Sequence, residues 1–140
     1  MKYKRFEDLP AWQAAVELGV RTFAMTGTGC LQGYSGLRDQ LERAAVSVSN
    51  NIAEGFERGT HQELLTFLYY AKGSLAEVRS MLHLLTRLHP STLVARLVAE
   101  VKGASSHLVT HRLAPGFSLG LLKATIPTSI RITEQSTTHS

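Results

Sequence analysis

The sequence predicts an all-α protein: an up-and-down antiparallel four-helix bundle with a poorly ordered C-terminal tail. Three observations carry this prediction. Leu64, Leu68, Ala71, Leu75, Val78, Leu82 and Leu85 recur at steps of four and three residues without a break, the seam pattern of helices packed at a shallow angle. A second stripe of the same period, Leu37, Leu41, Ala45, Val48, Ile52 and Phe56, precedes it. The apolar runs are separated by residues that start or stop helices, with Pro10, Thr60 and Ser91 at beginnings and Gly27, Gly59 and Pro90 at ends.

The elements run in order. Asp8 and Pro10 open a first helix, about 8–26, whose apolar side is expected to be Leu9, Trp12, Val16, Val20 and Phe23. GTGCLQG then connects; it is dense in glycine but lacks the Gly-Lys-Ser/Thr ending with which a phosphate loop holds a nucleotide. Ser35 is the expected N-cap of a second helix, about 36–58, closed by Gly59. Thr60 and Glu63 read as a capping box for the third, about 61–89. Burial of each large side chain on its seam contributes about 1.5–3 kcal/mol, which makes this helix the central core element. Tyr70, Met81 and Leu84 lie off that seam, so a second buried face is expected, with self-association its simplest source. The fourth helix, about 91–113, is capped by Ser91 or Thr92 and should turn Leu93, Leu97, Val101, Leu108 and Val109 inward; Gly103, Ser105 and Ser106 make it the least regular. Residues 114–140 are rich in Gly, Pro, Ser and Thr and read as the loosely held tail.

Composition narrows the function classes. A chain of 140 residues accommodates one domain, here the bundle over 1–113, and its 44% apolar and 19% charged residues are those of a globular protein. No apolar run reaches membrane-spanning length, and Glu7 and Asp8 interrupt the basic start where a signal peptide would turn apolar, so no membrane role and a cytoplasmic location are expected. Cys30 is the sole cysteine, which excludes an internal disulfide and any multi-cysteine zinc site. The net charge of +4 is compatible with a polyanionic partner.

The second helix carries a further ordered face. Gln40, Arg43, Ser47, Asn50 and Glu54 form a polar stripe roughly 140° from the apolar one, joined by Asn51 and Arg58. Short amides and hydroxyls with isolated opposite charges suit a hydrogen-bonded contact, so a subunit seam is favoured, with partner recognition and a solvated face as the alternatives. Gly73 and Ser74 interrupt the third helix; a glycine there costs about 1 kcal/mol relative to alanine, and close approach of another helix backbone is the expected compensation. Lys2, Lys4 and Arg5 beside Tyr3 and Phe6 form a small basic cluster able to contact phosphates and stack on bases, or an ordinary solvated terminus. His107 and His111, four apart, lack the intervening Glu of an HExxH site and a further ligand, so no metal, and equally no cofactor, is expected. No Ser-His-acid or Cys-His constellation and no base matched to Glu54 is spaced for catalysis, so the protein reads as no enzyme.

FEDLPAWQAA, YSGLRDQLERAAVSVSNNIAEGFERGT and FLYYAKGSLAEV, in this order, resemble the 23S ribosomal RNA intervening-sequence proteins. The resemblance covers about residues 6–113, and Arg43, Ser47, Asn51, Ile52, Ala53, Glu54, Gly55, Arg58, Gly73, Ser74, Leu75 and Glu77 stand at family positions. It implies a bacterial four-helix bundle that assembles as a ring, commonly a homopentamer, with no established catalysis. The accessory variability determinant of diversity-generating retroelements is similar, and is a basic pentameric barrel that contacts a reverse transcriptase and nucleic acid. For this chain the resemblance implies a homo-oligomer whose interface or partner surface includes Tyr70, Gly73, Ser74 and Glu77 with the polar stripe. Such a protein would bind RNA or DNA or, alternatively, act as an adaptor for a polymerase-like or other protein partner.

Overall fold

The computed structural model describes residues 3–110, with side chains as far as Lys102. Lys2, His111 and the tail 114–140 lie outside the described residues, as do the side chains of His107, Leu108 and Val109. A 3-10 turn, Phe6–Asp8, leads into four helices: α1 (Pro10–Thr26), α2 (Ser35–Glu57), α3 (His61–Leu88) and α4 (Thr92–Thr110). The turn packs on α1 and α2; each helix packs on its successor, most extensively α2 on α3, and α1 meets α4 more sparingly to close the bundle. Among the described residues, no helix is long and apolar enough to cross a membrane.

Local chemistry sets the helix ends. Thr60 Oγ1 accepts from the Glu63 amide at 3.2 Å, and its hydroxyl proton goes to Glu63 Oε2 at 2.7 Å, so the carboxylate closes the expected box on the side chain. Ser91 Oγ accepts from the Leu93 amide and caps α4. Ser35, in contrast, is the first residue of α2; Tyr34 holds the cap position without a side-chain bond. Gly59 ends α2 at φ +81°, a left-handed turn that a side chain disfavours.

The α3 seam is as expected: Leu64, Ala71, Leu75, Val78, Leu82 and Leu85 are all buried, with Leu68 partly buried against them. On α2, Leu41, Ala45, Val48, Ile52 and Phe56 face them, joined by Ala44. Two expectations require correction. Of the expected α1 side, Leu9 is buried and Trp12 packs against the core, but Val20 and Phe23 are 58% and 47% exposed, and the buried face of the helix is Ala15, Leu18, Thr22, Met25 and Thr26. This face lies roughly 130° round the helix from the expected one. A count of large apolar residues misses it because alanine fits the close approach and the Thr22 hydroxyl is satisfied by donating to the Leu18 carbonyl at 2.8 Å. On α4, Val94, Leu97 and Val101 are buried and Leu93 is 48% exposed: Leu93 keeps the four-residue step to Leu97 but lies roughly 70° round the helix from the mean direction of the buried three.

Polar ties join α1 to its neighbours. Arg21 donates to Glu17 at 2.9 Å and, across to α4, to Glu100 at 2.7 Å. The Glu17 bond is the main cause of a raised Arg21 pKa, which keeps the guanidinium charged. Between α1 and α2, Thr26 Oγ1 donates to Glu42 Oε1 at 2.6 Å, and Arg38 Nε donates to the same oxygen at 3.1 Å. The Thr26 bond, then Arg38, holds the Glu42 carboxyl below its usual range. A carboxylate held low in the folded chain adds stability above the unfolded glutamate pKa, about 4.3, and this stability is lost as pH falls through the lower folded value. Urea midpoints measured from neutral pH down to pH 3 should therefore fall less steeply for Thr26→Val than for the wild type; identical acid slopes would remove Thr26 from this role.

Candidate interface on helices two and three

The polar stripe of α2 stands beside the flank of α3 that carries Tyr70, Ser74 and Glu77, and the two helices are tied there by short side chains. Asn51 Nδ2 donates to the Ser47 carbonyl at 2.8 Å and to Ser47 Oγ at 3.0 Å. Ser74 Oγ, 27 residues further on, donates to the same Ser47 Oγ at 3.0 Å. These three part-buried residues are the hydrogen-bonded heart of the face. Close approach makes the tie possible: a Cβ built on Gly55 would stand 2.5 Å from Phe67 Cβ and 3.3 Å from Leu64 Cα. Gly55 is thus the glycine that lets two helix backbones meet.

At the lower end of the stripe, Arg58 donates to Glu54 at 2.7 Å within α2, and that bond raises the Arg58 pKa. The guanidinium lies over the Phe67 ring at 5.1 Å, and Phe67 meets Tyr70 edge-on at 5.4 Å. A charged group, two rings and a carboxylate are therefore linked along the surface, each fixing its neighbour's rotamer. Gln40, Arg43, Asn50 and Glu77 are exposed. Arg43 and Glu77 make no ion pair with another described residue.

An open cleft of about 610 Å³ runs along this side of α2. Arg43, Ser47, Asn50, Asn51 and Glu54 line it, together with Asp39, Glu42 and Val46 and, from α1, Phe23. Its walls offer amides, carboxylates and one guanidinium, a set suited to hydrogen bonds with polypeptide or another polar surface. Sequence reasoning misses Phe23 here because it turns the large apolar residues of α1 inward; Thr22, a polar residue among apolar ones, is the available signal that the face lies elsewhere. Half-exposed apolar side chains continue the face along α3, with Tyr70 at 55% and Leu84 at 49% exposure, whereas Met81 is partly buried against the core.

A Cβ placed on Gly73 would have no atom of the described residues within 4 Å, so none of them supplies the close approach expected there. The space is open toward the exterior. Gly73→Leu is expected to lower the mass of the assembled protein, measured by light scattering, while leaving helical circular dichroism intact; an unchanged mass would contradict an interface at this position.

The N-terminal basic cluster is less free than its sequence suggests. Arg5 lies 3.7 Å from Glu7 and 3.8 Å from Asp8. Tyr3 and Phe6 pack against the core, Phe6 edge-on to Trp12 at 5.2 Å, so their rings are engaged internally. Lys4 is exposed. Among the described residues, no group of three or more His, Cys, Asp or Glu is arranged to hold a metal.

The family model for 23S rRNA-intervening sequence protein matches residues 7–101. No curated protein matches the chain.

Proposed function

The chain belongs to the 23S rRNA-intervening sequence protein family, and from that premise we propose that it is a non-catalytic homo-oligomeric scaffold, a ring of fivefold order by resemblance, that binds RNA or DNA weakly through phosphate contacts. The observation that carries the assembly half is the α2–α3 face. Ser47, Asn51 and Ser74 fix its centre by mutual hydrogen bonds, while Tyr70, Leu84, Arg43 and Glu77 project from it without a covering partner in the single chain. A rigid centre rimmed by exposed apolar groups and isolated opposite charges suits the head-to-tail contact that a ring requires. The nucleic-acid half rests on the positive net charge, which repetition in a ring would multiply.

The test is fluorescence anisotropy of a labelled structured RNA and of a DNA duplex across salt concentrations, alongside the mass in solution. Binding should weaken log-linearly with salt. An assembled protein that binds neither nucleic acid at low salt would leave the scaffold and place its partner among proteins, for which the cleft beside Phe23 and Val46 is the recognition surface.

A further inference from the structure

We propose that the α4-side flank of α3, carrying Lys72, Arg79, His83 and Arg87, is the surface that holds the phosphodiester backbone of the nucleic acid. The proposal rests on the nucleic-acid reading of the protein and moves its contact away from the N-terminus.

Helix geometry places the four residues together. Steps of seven, four and four bring them within about 80° of one another, on a flank roughly 110° from the buried seam, and spread them over about 22 Å of axis. The opposite flank is the one that meets α2, through Ser74 on Ser47 and Phe67 on Gly55. Both acidic residues of α3, Glu63 and Glu77, fall on that α2-side flank. The charges of α3 are therefore sorted by side, whereas a helix side that needs only solvation mixes them.

Among the described cations that make no ion pair, which also include Lys4, Arg43 and Arg96, only those of α3 stand together on one flank of one helix. Arg5, Arg21, Arg38 and Arg58 each have a carboxylate within 4.0 Å. Lys72, Arg79 and Arg87 make no ion pair with any described residue. Their field is thus uncompensated locally, the condition under which phosphate contacts displace condensed counterions with gain. Tyr69 stands on the same side at 43% exposure. No large apolar side chain is exposed among the four cationic positions, which favours a nucleic acid over an acidic peptide that would need apolar anchors. The flank lies on the opposite side of α3 from the proposed α2–α3 contact face.

The experiment measures anisotropy of labelled single-stranded RNA and of DNA of the same sequence with the full chain. It compares the wild type, the triple variant Lys72→Gln/Arg79→Gln/Arg87→Gln, and the double variant Lys4→Gln/Arg5→Gln. Circular dichroism and solution mass are recorded for each, and the charge-conserving Lys72→Arg/Arg79→Lys/Arg87→Lys protein controls for packing. The triple variant should bind roughly tenfold more weakly or worse and lose about two units of log–log salt slope, with the charge-conserving protein close to the wild type. RNA and DNA should respond alike. If the triple variant keeps the wild-type slope while the double variant loses it, the stripe is wrong and nucleic-acid binding stands at the N-terminus. If the wild type binds no nucleic acid, both readings fall; if polyglutamate competes as well as RNA at equal charge, the stripe is not a nucleic-acid surface.

Discussion

Gly55→Val is expected to destabilise the folded chain by about 3 kcal/mol, seen as a fall in urea midpoint at unchanged m. Two effects oppose each other at this position. Any β-carbon relieves the conformational cost of a glycine in the middle of a helix, up to about 1 kcal/mol for alanine and less for the β-branched valine. The same carbon would meet Phe67 Cβ at 2.5 Å and the Leu64 backbone at 3.3 Å. Neither neighbour is the free end of a flexible side chain, so α2 and α3 must separate, and their seam is the most extensive in the bundle. The clash therefore outweighs the gain. Phe67 also carries the Arg58 contact and the Tyr70 edge, so the displacement reaches the candidate interface. Gly73→Ala supplies the opposite sign: with open space around it in the single chain, the helix gain of about 0.5–1 kcal/mol should appear in the stability of the unassembled protein. A stabilised Gly55→Val protein would show that the seam is looser than these distances.

The contrast between the two glycines marks how far the sequence could be read. Both lie inside helices, yet which one meets a neighbouring backbone depends on rotation and spacing between helices, and no local signal encodes that. The α3 seam was legible because its period is unbroken and its residues are large. The face of α1 was not, because its inward positions are filled by Ala15 and Thr22, whose burial is decided by close packing and a back-bonded hydroxyl. Of the candidate site, the α2 stripe could be read from its spacing, and Ser74 from its place beside Gly73 inside the third helix and from the family resemblance. Their meeting at Ser47, and the Arg21–Glu100 tie across 79 residues, are long-range facts. The sorting of charge on α3 lay within reach of the same helical arithmetic, but it gains meaning only once ion pairs show which cations are already compensated.

Leu82 and Leu84 differ by two positions and should respond in opposite ways. Leu82 is fully buried, among Val78, Leu85 and the rest of the core, and Leu82→Ala removes its contacts and leaves a cavity, for an expected loss of about 3–5 kcal/mol. In a chain whose total stability is of the order of 5–15 kcal/mol, this alone brings the midpoint close to unfolding at moderate temperature. Leu84 is 49% exposed on the flank beside Tyr70 and Glu77, so Leu84→Glu removes little that the single chain buries and should change its stability by no more than about 0.5 kcal/mol. What it adds is a second negative charge near Glu77 on the proposed contact face, where desolvation and like-charge repulsion both act against association. Thermal melts and light scattering on the two variants separate the cases. A Leu84→Glu protein that melts like the wild type but no longer assembles assigns this flank to the contact between copies. One that keeps its full mass returns the exposed leucine to ordinary surface and leaves the assembly to some other face.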